Sequence, residues 1–158
     1  MNNRFKIILI FSLALWLSGC GYSKLNNLED NRIHLSEITF SGEQRIGYII
    51  KNKLVLGSSP TGENNLKLNL IIDKKKEIKE KNISNKVKKY KIRLTVELLI
   101  VEVSSNKKIE KNFYKETDFI AYDNKSRTMS DERRSIQNIA DQISDDIKNF
   151  INLNYKTK

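Results

Sequence analysis

From Tyr90 to Ile100 every second residue is apolar: Tyr90, Ile92, Leu94, Val96, Leu98 and Ile100 alternate with Lys91, Arg93, Thr95, Glu97 and Leu99. Side chains of a strand point alternately to its two faces, so this run predicts a strand with one face in a core and one toward water. A shorter run, Leu66, Leu68, Leu70 and Ile72, repeats the pattern. Ser104-Ser105-Asn106 is a turn, and Lys107 to Ala121 returns as a further strand carrying Ile109, Phe113 and Phe119. Strands joined by short connections pair as antiparallel neighbours. An additional strand is expected over Arg32 to Phe40, from Ile33, Leu35, Ile38 and Phe40.

Two helices complete the pattern. Ser41 to Leu56 carries Ile46, Ile49, Ile50 and Leu54 on one face, with Ser41 and Gln44 spaced as a capping box and Gly57 placed to end the helix with positive φ. Ser130 to Leu153 carries Ile136, Ile139, Ala140, Ile143, Ile147, Phe150 and Ile151 at the 3.6-residue period, with Ser130 as its expected cap. The order is β-α-β-β-β-α. Two apolar helix stripes and one half-apolar sheet predict an α+β two-layer sandwich, a mostly antiparallel four-stranded sheet with both helices on one face.

The amino terminus is of a different kind. Arg4 and Lys6 precede an apolar run, Ile7 to Leu17, followed by Ser18-Gly19 and then Cys20, the single cysteine of the chain. A basic start, a short apolar run and small residues make an export signal. The run is shorter than the roughly 20 residues a spanning helix needs. The domain reading is therefore 1–19 as a signal peptide, 20–31 as a polar tether and 32–158 as the folded domain. Leu17-Ser18-Gly19-Cys20 resembles the lipobox of bacterial lipoproteins. That resemblance implies cleavage after Gly19, a diacylglyceryl group on the Cys20 sulfur and an acyl chain on the new amino terminus. Gly21 stands where an aspartate commonly retains a lipoprotein in the inner membrane, so the expected location is the periplasmic face of the outer membrane.

Residues 1–19 hold two basic and no acidic side chains, so their removal takes the net charge from +10 to +8. Most of that excess sits between Asp73 and Lys91. There Lys74, Lys75, Lys76, Lys79, Lys81, Lys86, Lys88, Lys89 and Lys91 face only Asp73, Glu77 and Glu80. Lysine ammonium groups act as point charges toward phosphates. Two readings stand side by side: a binding surface for an anionic lipid, and a solvated hairpin whose charges keep a sheet edge from aggregating. The excess of 22 lysines over 7 arginines also fits an AT-rich coding sequence.

Several chemistries lack their residues. His34 is the single histidine, without a second histidine or a nearby cysteine to share a metal, and it has no arrangement suited to a Ser-His-Asp triad. No G-x-x-x-x-G-K loop is present. Asp141, Asp145 and Asp146 are expected to face solvent on the last helix, and Arg133 and Arg134 to lie on its surface or against a partner. No enzymatic activity and no cofactor beyond the lipid are expected.

The element order, together with Leu17-Ser18-Gly19-Cys20-Gly21-Tyr22, the helix with Arg45, Leu54 and Gly57, the run Leu66-Lys67-Leu68-Asn69-Leu70 and the stretch Asp131 to Ile143, resembles the LptE family of lipopolysaccharide-assembly lipoproteins. The resemblance implies a protein that plugs the LptD β-barrel, assists its assembly and binds lipopolysaccharide for insertion into the outer leaflet. The lipopolysaccharide-binding candidates are Lys74, Lys75, Lys76, Lys79, Lys81, Lys86, Lys88 and Lys89. Three other functions fit part of the sequence: an auxiliary lipoprotein of an ABC-type lipid transporter, a structural envelope lipoprotein and a periplasmic enzyme.

Overall fold

The computed structural model describes residues 33–155. The signal segment, Cys20, the tether and Arg32 lie outside them. The elements are β1 (Ile33–Gly42), α1 (Gln44–Val55), β2 (Asn64–Lys81), β3 (Val87–Glu102), β4 (Lys108–Ile120) and α2 (Lys125–Tyr155). The sheet order is β1-β2-β3-β4. β1 pairs parallel to β2 through the α1 crossover, and β2-β3-β4 is an antiparallel meander. The expected α+β architecture and element order hold.

Period-two alternation does what it predicts. Leu66, Leu68, Leu70 and Ile72 of β2 and Ile92, Leu94, Val96, Leu98 and Ile100 of β3 are all buried. In register, Leu68 lies opposite Ile100, Leu70 opposite Leu98 and Ile72 opposite Val96. Ile46, Ile50 and Leu54 of α1 and Ile139, Ala140, Ile143, Ile147 and Ile151 of α2 close over them in one core. Both helices cover this face. The other face is open, and Ile71 is half exposed on it.

Four local expectations are corrected. Ser41 and Gln44 form no capping box: Ser41 is still in β1, and α1 begins after Glu43, which makes no side-chain cap hydrogen bond. The continuation of β1 to Gly42 prevails because Gly42 takes φ +88 beside Ile72, where a Cβ would lie 2.1 Å from the Ile72 carbonyl oxygen. That close approach needs glycine. The Glu43 amide then donates to the same carbonyl at 3.2 Å.

Gly57 is not in the positive-φ region, since Gly42 is the single positive-φ glycine among the described residues. α1 ends instead in tightened i→i+3 bonds from Gly57 N–H to Leu54 and from Ser58 N–H to Val55. α2 starts five residues before Ser130. Asn124 accepts at its Oδ1 from the Arg127 amide (3.2 Å), the N-cap pattern, and the Thr128 hydroxyl closes on the Tyr122 and Asn124 carbonyls. The eleven residues of α2 before Ile136 contribute no buried side chain.

The fourth correction is strand length. β2 runs nine residues past Ile72, the end of its apolar alternation. β1 carries a bulge between Leu35 and Glu37, which is why its apolar residues lose strict alternation at Ser36.

Candidate functional site: a charged hairpin end

Beyond Ile72 and before Ile92 the two central strands leave the core and continue as a lysine-rich hairpin. The candidate lysines fall into three sets there. On the helix side, Lys74 and Lys76 continue the row begun by Leu66, opposite Leu94 and Ile92. Lys74 Nζ lies 3.3 Å from Glu43 at the start of α1. Lys76 Nζ lies 2.6 Å from Glu132 of α2, and sits 4.5 Å above the Tyr90 ring and 5.0 Å above that of Phe119. Tyr90 and Phe119 are stacked, 5.2 Å apart. A cation over two aromatic faces and beside a carboxylate is held at several points. Both side chains fasten a helix start to the sheet.

Across the hairpin, Lys79 pairs with Asp118 of β4, Lys89 with Glu80 (3.3 Å) and Lys91 with Glu116 (3.3 Å). Arg93 joins that last pair: its Nε donates to Glu116 at 2.5 Å. The Arg93 hydrogen bond, then that from Lys91, lowers the Glu116 pKa below the ordinary carboxylate value.

The remaining candidates, Lys75, Lys81, Lys86 and Lys88, are exposed and have no ion-pair partner among the described residues. Three of them flank the turn. The Asn82 amide donates to the Lys86 carbonyl (2.8 Å), the Asn85 amide to the Asn82 carbonyl (2.9 Å) and the Lys86 amide to Asn82 Oδ1 (2.8 Å). Asn85 takes φ 60, a left-handed conformation that asparagine tolerates. The turn is therefore a hydrogen-bonded unit, with Ile83 projecting fully into water at its apex.

The starts of both helices lie at this end. Between them is a cleft of about 230 Å³ lined by Arg45, Ile46, Ile49, Met129, Arg133 and Ile136, with Glu43, Lys74, Glu132 and Gln137. Arg133 and Arg134 are both exposed, and Arg133 borders the cleft. Asp141 and Asp145 face solvent as expected and share a lysine: Lys53 Nζ lies 3.9 Å from Asp141 and 2.8 Å from Asp145. Asp146 is held by Lys115 at 2.8 Å. His34 Nδ1 donates to the Ser59 carbonyl at 3.0 Å. No group of His, Cys, Asp and Glu suited to a metal occurs among the described residues. None of their helices is long and apolar enough to cross a membrane.

Sequence reasoning found the lysine cluster but missed its division. Glu43, Asp118, Glu116 and Glu132 are distant in sequence or on other elements, and nothing in spacing alone pairs them with particular lysines. Ile83 carried a signal: it is a lone β-branched apolar residue between turn-forming Asn82 and Ser84-Asn85.

No protein-family model matches the chain, and no curated protein matches its sequence significantly. Solved structures share the fold at low identity. A provisionally assigned lipoprotein from Caulobacter crescentus CB15 aligns with TM-score 0.57 at 13% identity, over 80% of this chain and 92% of that one. The rare lipoprotein B of Shewanella oneidensis aligns with TM-score 0.54 at 11% identity, over 75% of this chain and 99% of that one. The chain has the fold of those two proteins.

Proposed function

We propose that the chain is an envelope lipoprotein of LptE type, anchored through Cys20 at the periplasmic face of the outer membrane. In this reading it plugs and assists assembly of an LptD-like β-barrel and binds lipopolysaccharide. It makes and breaks no bond; it binds and holds. The names of the two fold relatives, both described as lipoproteins, agree with the Cys20 signal and support the coarser part of the reading.

The observation that supports the finer part is a local cluster of unpaired charge at the hairpin end. Lys81, Lys86 and Lys88 collect at the hairpin end of the sheet, and Lys75 lies nearer its middle opposite Arg93. Lys107 and Lys108, also without an ion pair among the described residues, lie at the other end. Ile33, which receives the tether, pairs with Asn64 at that other end. An anchored body of this shape holds its tether end and the Lys81, Lys86 and Lys88 cluster roughly 50 Å apart along β2, at about 3.3 Å per residue. Free ammonium groups suit lipid A phosphates and inner-core acids.

The test is to purify the lipidated chain from membranes and identify what accompanies it. A large β-barrel protein together with bound lipopolysaccharide is expected. An inner-membrane permease would transfer the chain to the transporter-auxiliary class, and recovery with neither would favour a structural envelope lipoprotein.

A further inference from the structure

Paired lysines account for the stiffness of the hairpin but not for its apex. Ile83 is 108% exposed, more than an isoleucine in an extended peptide, at a turn position that polar residues fill equally well. The turn below it is braced by three hydrogen bonds, so the side chain is presented rather than left to swing. Lys81, Lys86 and Lys88 lie within two residues of the turn ends, so roughly within 7 Å along the strands. That is inside the ~8 Å over which charges act at physiological salt.

A single apolar knob on a convex apex has no pocket-forming neighbours, as a protein hot spot would need. Flexible ammonium collars set no bidentate geometry. A knob inside a ring of cations is complementary to a soft anionic interface, where the apolar group enters the acyl boundary and the lysines reach back to phosphates.

We propose that the β2–β3 tip is a membrane-docking device: Ile83 enters the interfacial layer of an anionic glycerophospholipid bilayer, while Lys81, Lys86 and Lys88 close on the phosphates around it. The inference rests on the lipid-anchored part of the reading proposed above and not on its barrel-plug part, because an anchored chain outside a barrel meets such a surface. It does not require the tip to recognise lipopolysaccharide. The 12 residues from Gly21 to Arg32 span at most about 40 Å when extended. The tip therefore reaches the bilayer holding Cys20 when the long axis of the sheet lies along the surface.

The chain offers a clean probe. Its single tryptophan, Trp16, lies in the signal segment, so Ile83→Trp places a reporter at the apex with the unsubstituted chain as blank. The lipidated full chain is reconstituted into phosphatidylcholine vesicles with and without phosphatidylglycerol. Blue-shifted emission, quenched by brominated acyl chains, is expected with phosphatidylglycerol alone. It should be lost in ~1 M salt, where screening shortens to about 3 Å. It should also be lost in the Lys81→Glu, Lys86→Glu, Lys88→Glu background. Each lysine is worth about fivefold in partition, the equivalent of about 1 kcal/mol. A Lys→Gln triple variant, unable to add repulsion, should lose most of the shift with unchanged circular dichroism.

Water-like emission in both vesicles overturns the proposal, as does an equal shift in phosphatidylcholine alone. A shift that appears only when lipopolysaccharide is added overturns it too, and leaves the lipopolysaccharide reading standing. A phosphatidylglycerol-dependent shift in a chain that fails to bind lipopolysaccharide sustains the docking and removes the other reading.

Discussion

The same two strands build two unlike regions. In the near half, Leu66–Ile72 of β2 lies against Val96–Glu102 of β3, and apolar side chains fill every helix-facing position up to Ile100. In the far half, from Lys74 and Leu94 outward, the backbone ladder continues with register shifts at Ile78–Glu80 and Glu80–Lys81, and β2 turns to lysines and glutamates while β3 keeps Leu94 and Ile92 buried. Hydrophobic burial holds the near half. Cross-strand and strand-to-helix charges, with one aromatic stack, dress the far half. A strand needs a partner to pair with more than it needs an apolar face, and β3 supplies that partner for nine residues past the last buried residue of β2.

The contrast predicts unequal costs. The largest loss is expected in the near half: Leu70→Ala, at a fully buried position, should cost about 2–5 kcal/mol in urea unfolding. Lys75→Ala in the far half should stay within about 0.5 kcal/mol. Comparable losses at the two sites would break the division.

Gly42→Ala tests the border between the halves. Its Cβ would meet the Ile72 carbonyl oxygen at 2.1 Å in a left-handed backbone. A loss of about 1–3 kcal/mol is expected in the same measurement. Tolerance would mean that the crossing of β1 past Ile72 is loose.

Smaller effects sharpen the picture of the far half. A double-mutant cycle on Lys76 and Glu132, both partly exposed, should give a coupling of about 0.5–1 kcal/mol. Zero coupling would leave the contact between hairpin and α2 to the aromatic stack alone.

The smallest effect is a pH dependence at Glu116. Its folded pKa is lowered, chiefly by the Arg93 hydrogen bond, so its contribution is present above the ordinary glutamate value near 4.5 and fades as pH falls through the lowered one. Melting temperatures of the unsubstituted chain and Glu116→Gln should therefore differ above pH 4.5 and converge in stronger acid. A difference that persists in strong acid would assign the effect to packing instead.

How much of this was legible depended on the kind of signal. The core was: Ile92 through Ile100 and Leu66 through Ile72 declare their faces by period two, and the stripe from Ile136 to Ile151 declares its own. Boundaries were not. Helix-start signals at Ser41 and Ser130 lost to a strand continued by the Gly42–Ile72 approach and to a cap at Asn124, both settled by packing that local spacing does not contain. The lysine cluster was visible as composition. Which lysines are spent on Glu43, Glu80, Glu116, Asp118 and Glu132 became visible only with the register and the helix positions. Reversing Lys74 or Lys76 would therefore place like charges beside Glu43 or Glu132 and disturb folding. Lys81, Lys86 and Lys88 can be reversed without that penalty.

The central claim, that unpaired charge at the hairpin end is what this chain offers an anionic lipid, is tested most directly by titrating lipopolysaccharide against three full-length proteins. These are the unsubstituted chain, the Lys81→Glu, Lys86→Glu, Lys88→Glu variant and a Lys51→Glu, Lys107→Glu, Lys108→Glu variant with the same charge change away from the tip. The account predicts that tip reversal weakens binding at least tenfold at unchanged stability, roughly 1.4 kcal/mol or more, while the control variant binds nearly as the unsubstituted chain does. Equal weakening in the two variants would reduce the hairpin to a share of net charge, and undiminished binding by the tip variant would contradict the account.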